Sequence, residues 1–309
     1  MPSTVKLYSG TGSRYLSESI ARSYGDKLGL LTSKRFSDGE LFVSFDESVR
    51  GMDLFLIQST CPPAENMMEL LIMIDAAKRA SANYVTAVVP YFGYARQDRK
   101  DKPRVAITAK LMANLLVAAG AERLMTMDLH AGQIQGFFDI PVDHLDGTAI
   151  FIPYIKSLEL ENLIIASPDV GGLSRARGFA KLLGCELVVI DKHRARANEI
   201  ASMQLIGDVH EGNVVLIDDL IDTGGTLTRA AALLKEKGAK TVRAICTHPV
   251  LSGNAYENIE SSVLEELVVS DTMPLKRHSP KIKVISVANL FALAIKKVHE
   301  HGSVSSLFI

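Results

Sequence analysis

The chain has no tryptophan, only three cysteines and almost no net charge, and each scarcity narrows what it can be. Cys61, Cys185 and Cys246 are odd in number, far apart and without metal-binding spacing, so they read as ordinary thiols of a reducing compartment. The 34 basic side chains are matched by 35 acidic ones. Such a balance gives no general attraction to nucleic acid or to an anionic membrane, and any basic patch must be local. No apolar run approaches the roughly 18 residues of a spanning helix, and the opening MPSTVKLYSG has no basic segment followed by an apolar one. A cytoplasmic protein with neither a nucleic-acid nor a membrane partner is expected. Low-complexity tracts and short-period repeats are also missing, which sets aside disordered and solenoid classes.

What is present is apolar material in a regular rhythm. A length of 309 residues with 47% hydrophobic content suits two domains, each with its own core. Strands are predicted over 5–8, 41–45, 53–57, 85–89 and 124–128, with helices over 14–27, 66–80 and 107–119. After a strand over 142–145 the pattern restarts, with helices over 148–157, 172–183, 227–237 and 289–299 and strands over 163–166, 186–190, 214–217 and 242–246. Alternating β and α predicts an α/β fold with parallel sheets flanked by helices. The expected domains are 1–146 and 147–309.

Several stretches carry chemistry. VVLIDDLIDTGGT, 214–226, is a buried strand that delivers Asp218 and Asp219 to its carboxyl end, where open α/β sheets bind ligands. Asp222, Thr223, Gly224, Gly225 and Thr226 follow, just before a helical pattern, and such a loop can wrap a phosphate with backbone N–H groups. SPDVGG, 167–172, places Asp169 on the same edge. DKHRARAN, 191–198, puts Lys192, His193, Arg194 and Arg196 in a predicted loop leaving a strand, apt for neutralising polyphosphate charge. ARQDRKDKPR, 95–104, offers Arg96 for phosphate and Gln97 for a base, and His130 lies just beyond a strand end, where it could serve a metal or phosphate. In isolation, a strand-to-helix turn, a helix cap or a solvated loop would account for each of them.

Together they do not stand in isolation. VVLIDDLIDTGGT alone resembles the phosphoribosyl pyrophosphate loop of the type I phosphoribosyltransferase fold. FSDGE, YARQDRKDK, DLHAGQIQGFFDIPVDHL, SPDVGG, DKHRARAN and VVLIDDLIDTGGT, in this order, resemble the ribose-phosphate pyrophosphokinase family over 6–308. The resemblance implies two similar phosphoribosyltransferase-like domains and transfer of the β,γ-diphosphoryl group of Mg-ATP to the 1-hydroxyl of ribose 5-phosphate. By matching positions, Phe36, Asp38 and Glu40 would bind adenine from a neighbouring subunit, and Arg96, Gln97, Asp98, Arg99 and His130 would hold ATP. His130 and Asp169 would be associated with Mg²⁺. Asp169, Asp218, Asp219, Asp222, Thr223, Gly224, Gly225 and Thr226 would bind ribose 5-phosphate, and Lys192 and Arg194 would be catalytic.

The resemblance also implies a homo-oligomer, a hexamer, with phosphate and ADP as effectors at Ser48, Arg50, Lys102, Arg104, Ser305 and Phe308. Three positions depart from the family pattern. Pro103 replaces a serine able to contact ADP phosphate, and Ala106 and Ala195 replace prolines. A phosphoribosyltransferase would share only the phosphate loop, and a catalytically silent subunit would not need Lys192, Arg194, His130, Asp218 and Asp219.

Overall fold

Runs rich in Val, Ile and Leu build the sheets. The computed structural model describes residues 4–196 and 199–308. The chain divides into two units, Met1–Asp146 with Val287–Ile309, and Gly147–Ser286.

In the first unit, β1 (Val5–Ser9) leads to helix α1 (Arg14–Tyr24) and a hairpin of β2 (Leu31–Arg35) and β3 (Leu41–Phe45). Then come β4 (Asp53–Ile57), α2 (Glu65–Arg79), β5 (Tyr84–Val89), α3 (Thr108–Ala119), β6 (Arg123–Met127) and β7 (Val142–Leu145). The main sheet has the order β1-β4-β5-β6-β7, and all its pairs are parallel. Its central strands are apolar on both faces because helices cover both. Leu54, Leu56, Leu70, Met73, Ile74 and Leu116 are fully buried in one cluster, each side chain contributing about 1.5–3 kcal/mol. Gly25, at φ +95°, ends α1 by donating its N–H to Ala21 and Arg22, a left-handed cap that glycine adopts without steric cost.

The second unit contains α4 (Thr148–Ser157), β8 (Leu163–Ser167), α5 (Leu173–Leu183), β9 (Glu186–Arg196), β10 (Glu199–Ile206) and β11 (Asn213–Ile221). It continues with α6 (Gly225–Glu236), β12 (Thr241–Pro249), α7 (Ala255–Glu260), β13 (Leu267–Ser270) and β14 (Ile282–Ile285). The sheet order is β10-β9-β8-β11-β12-β13-β14, parallel except for β10. Side chains of β11 alternate between two cores: Val214 and Leu216 join one cluster, Val215 and Ile217 the other. After β8 the chain moves to one side for β9, then returns to the other side of β8 for β11. The β8/β11 boundary is therefore the topological switch point of this sheet, where a crevice opens at the strands' carboxyl ends.

Three expectations change. The segment 191–198 was expected as a loop; instead β9 runs on through Lys192 and Arg194 to Arg196, paired antiparallel with β10. The expected strand over 41–45 has a partner, β2, so FSDGE lies at the end of a hairpin. The last segment, expected within domain 147–309, belongs to the first unit. There α8 (Ala288–His299) buries Leu290, Phe291, Ala294 and Ile295 and packs on α1, which presents Leu16 and Ile20.

Candidate functional site

The carboxyl ends of β8 and β11 gather acids. β8 closes at Ser167, and two residues on Asp169 accepts the Gly172 N–H at 2.9 Å through Oδ1, in the turn that leads into α5. The Ser167 hydroxyl donates to the Asp169 carbonyl at 2.7 Å, fixing this turn. On the neighbouring strand Asp218 Oδ1 accepts the Asp219 N–H at 2.9 Å. Arg175, in the first turn of α5, brings Nη2 to 4.0 Å from Asp219 Oδ1. Lys192 on β9 brings Nζ to 2.9 Å from Asp169 Oδ2.

Charge is unevenly balanced here. Burial, and then the negative charges of Asp219 and Asp169, push the Asp218 carboxyl well above its ordinary pKa, which favours its protonated form. Burial also opposes charge on Asp169, but the Lys192 ammonium and the Gly172 N–H outweigh it and hold Asp169 below the usual carboxylate range. Beneath the acids, in register with Asp218, lies the fully buried Cys246. Its thiol donates to the Asp219 carbonyl at 3.5 Å and to the His248 carbonyl at 3.3 Å. Burial, and then Asp218 and Asp219, hold this thiol protonated.

Past β11 the chain wraps into a cradle. Gly224 has φ +73°, and a Cβ there would lie 3.4 Å from the Ala255 carbonyl oxygen. Residues 223–226 thus stand at the start of α6, whose first N–H groups point out of the helix. The cradle is braced from one side: Ser252 hydrogen-bonds the Asp222 carboxylate, and Asn258 donates to the Thr223 carbonyl at 2.9 Å. Asp222 and Thr226 are half-buried and Thr223 is exposed. The structure joins Asp169, Asp218, Asp219 and Lys192 on one edge. Arg194 follows on β9, and its side chain falls outside what is described.

In the first unit the FSDGE hairpin end is closed by its own backbone. Phe36 donates to the Glu40 carbonyl at 2.9 Å, Gly39 to Phe36 at 3.0 Å, and the Glu40 N–H reaches Asp38 Oδ1 at 3.1 Å. Phe36 is half exposed, its ring 5.6 Å from that of Phe42. Gln97 and Asp98 tie the 95–104 motif to its surroundings. Thr108 donates to Gln97 Oε1 at 2.6 Å, and Gln133, in the 3₁₀ turn Gly132–Phe137, donates to Asp98 Oδ2 at 3.0 Å. Arg96, Arg99 and His130 are exposed, with His130 just beyond β6. Gln97, Asp98 and the segment after His130 are therefore one connected group.

Ser48, Arg50, Lys102, Arg104 and Ser305 are exposed and Phe308 is half-buried, in a 3₁₀ turn with Ser305. No hydrogen bond or ion pair joins these groups to one another among the described residues. Sequence reasoning passed over Arg175, Cys246, Ser252 and Asn258. Arg175 had the one usable signal, a cation closely following SPDVGG at the start of a helix; the others acquire their neighbours only through the sheet and the α6/α7 packing.

Two parallel sheets flanked by helices make this a phosphoribosyltransferase-like α/β protein with two such units. Residues 5–120 match the family model described as the N-terminal domain of ribose phosphate pyrophosphokinase, and 189–309 match the phosphoribosyl synthetase-associated domain. The chain is 56% identical to a ribose-phosphate pyrophosphokinase of Porphyromonas gingivalis, covering 98% of this chain and 97% of that one. It is 57% identical to the one of Campylobacter jejuni, covering 98% and 99%. The crystal structure of phosphoribosylpyrophosphate synthetase from Mycobacterium smegmatis matches with a TM-score of 0.91 at 40% identity, covering 97% of this chain and all of that one. The chain belongs to the ribose-phosphate pyrophosphokinase family.

Proposed function

We propose that this protein transfers the β,γ-diphosphoryl group of ATP to the 1-hydroxyl of ribose 5-phosphate, giving 5-phosphoribosyl 1-pyrophosphate and AMP for nucleotide biosynthesis. The observation that carries the reading is the meeting of Asp169, Asp218, Asp219 and Lys192 at the switch point, directly before the 222–226 cradle. Asp218 and Asp219 bind the ribose 2- and 3-hydroxyls, directly or through metal. Asp222 and the Thr223, Gly224, Gly225 and Thr226 backbone hold the 5-phosphate at the α6 N-terminus. Asp169 closes the site from the adjacent strand. Lys192 and Arg194 are the catalytic cations: they offset charge that develops on the transferring group.

In the first unit Phe36, Asp38 and Glu40 serve the adenine held by a neighbouring subunit, Phe36 offering an exposed aromatic face. Arg96, Gln97, Asp98, Arg99 and His130 hold the rest of ATP. Attack by an anomeric hydroxyl needs alignment and charge neutralisation more than covalent help, so no residue is assigned as a dedicated base. Mg²⁺ fits the oxygen donors here, since Mg²⁺ is held by one or two carboxylates together with substrate phosphates. Among the described residues no group of three or more His, Cys, Asp or Glu side chains is arranged to hold a metal ion. Asp169 is the best-placed protein oxygen, and crowding with Asp218 and Asp219 favours a cation beside it. Separately, in the first unit, His130 would offer a nitrogen to Mg²⁺ that accompanies ATP. When bound, Mg²⁺ would neutralise and orient the polyphosphate.

Phosphate and ADP act as effectors through Ser48, Arg50, Lys102, Arg104, Ser305 and Phe308 in a homo-oligomer, a hexamer. Three free cysteines and the absence, among the described residues, of any helix able to cross a membrane accord with a cytoplasmic enzyme. The test is AMP release from ATP by purified protein. Release that depends on ribose 5-phosphate is expected, and no turnover with saturating Mg²⁺ and phosphate would leave the silent-subunit reading standing. Sedimentation with and without phosphate tests the hexamer.

A further inference from the structure

The β2–β3 hairpin is not part of the main sheet of its unit. A two-stranded ribbon is marginal by itself, so something else must fix where its end points. Leu31, Val43 and Phe45 pack the hairpin on the core, and the buried polar anchor of β2 is Glu69 on α2. We propose that Glu69 is a positioning residue for nucleotide binding, acting through Ser33 on the hairpin that carries Phe36, Asp38 and Glu40.

Glu69 is a carboxylate only 1% exposed. It takes four hydrogen bonds and no ion pair among the described residues. The Ser33 hydroxyl donates to Oε1 at 2.6 Å, while Oε2 accepts the Thr11 N–H at 3.0 Å, the Thr11 hydroxyl at 2.8 Å and Gln58 Nε2 at 2.8 Å. It therefore joins the hairpin to the residues following β1 and β4, the carboxyl edge of the sheet. A second rung lies beside the first. Glu65, one helical turn earlier, faces Arg35, two residues along the same side of β2, at 3.9 Å. Arg35 also donates to the Gly39 carbonyl at 3.0 Å, so this rung reaches the hairpin end itself. One rung is buried and one is half exposed; the buried one sets the geometry, because an exposed pair is screened and gains little.

A buried carboxylate with donors on every side is expensive to leave partly satisfied, so the four donors hold it and it holds them. Loss of Ser33 frees only the hairpin, and loss of Glu69 also releases Thr11 and Gln58. The inference rests on the reading that the hairpin end contacts adenine.

The test uses the full-length enzyme and separate KM values for ATP and ribose 5-phosphate. Ser33→Ala is expected to raise the KM for ATP about tenfold, the size of one hydrogen bond to a charged acceptor, with the KM for ribose 5-phosphate and kcat at saturating ATP little changed. Ser33→Thr, which keeps the hydroxyl, restores the wild-type value. Glu69→Gln moves the KM for ATP at least as far. Equal rises in both KM values, or no rise in either, overturn the inference. Phe36→Ala separates the two layers. If it raises the KM for ATP while Ser33→Ala does not, the positioning role alone fails; if Phe36→Ala leaves it unmoved, the adenine reading of the hairpin fails and the inference with it.

Discussion

Lys192 Nζ lies 2.9 Å from Asp169 Oδ2, and only 7% of the lysine side chain is exposed. Burying a lysine to this degree is costly unless an opposite charge faces it, and Asp169 supplies that charge. The pair fastens β9 to the end of β8, so the cationic segment starts from a fixed point on the acceptor edge. Lys192→Ala is expected to lower kcat by about 10²–10³-fold, the usual cost of one charge-stabilising group, while the KM for ribose 5-phosphate stays nearly constant. Steady-state kinetics in both substrates check it. A proportional loss in both parameters would place Lys192 in ground-state binding instead.

Asp218 gives a prediction about stability and pH. Its pKa in the folded protein lies well above the ordinary 3.8, chiefly through burial and the adjacent Asp219. The folded state then holds this proton more tightly than the unfolded chain does. The group therefore costs stability as pH rises from about 3.8 through the folded-state pKa, and the penalty is complete above that. Asp218→Asn removes the penalty, and the unliganded protein at pH 7 is expected to melt higher by about 2–4 °C for each kcal/mol relieved. The gain should shrink as pH falls toward 4, and the KM for ribose 5-phosphate should rise. Calorimetry at two pH values decides it, since a gain independent of pH would have another origin.

The cores were legible in the sequence and the margins were not. Alternating apolar runs located β11 and its neighbours because both faces of that strand are buried, so Val214 to Ile217 had to be apolar throughout. The extension of β9 through Lys192 to Arg196 had no such signal: apolar content stops at Ile190, and the pairing with β10 is made by backbone groups that every residue carries. β2, LTSKR, was hidden for the same reason. For α8 the periodicity of 289–299 announced a helix with an apolar face but said nothing of which surface would cover it. At the site, VVLIDDLIDTGGT and SPDVGG declared the residue types. That Lys192 would sit on Asp169, and Arg175 near Asp219, depends on strand order and helix docking, which no local pattern encodes.

Gly224 tests the cradle's backbone. Its φ of +73° is one that an L side chain adopts at a cost of roughly 1–2 kcal/mol, while an added Cβ would meet the Ala255 carbonyl oxygen at 3.4 Å in ordinary van der Waals contact. Gly224→Ala is expected to lower stability by about that amount and to raise the KM for ribose 5-phosphate more than that for ATP. Thermal unfolding and the two KM values check it. A stable variant with both KM values unchanged would show that the left-handed turn is not needed to hold the 5-phosphate.

On the proposed effector reading, Pro103 bears on inhibition by ADP. It is exposed between Lys102 and Arg104, and Arg104 has φ +66°, so the backbone turns sharply just after the proline. Lys102 and Arg104 supply positive charge for an anion, but proline offers neither a hydroxyl nor an N–H between them. Binding of an ADP phosphate there would lack the hydrogen bonds a serine provides, so inhibition by ADP should be weaker than in relatives with serine. Pro103→Ser is expected to lower the ADP concentration for half-inhibition by about 2–12-fold, the range of one ordinary hydrogen bond. The KM for ATP should not change, because the substitution is aimed at the effector and not at the substrate. Arg104→Ala should move the ADP curve the opposite way by removing charge from the same segment. If Pro103→Ser leaves the curve in place while Arg104→Ala shifts it, the segment binds ADP through charge alone and the proline is silent; if neither moves it, ADP acts elsewhere.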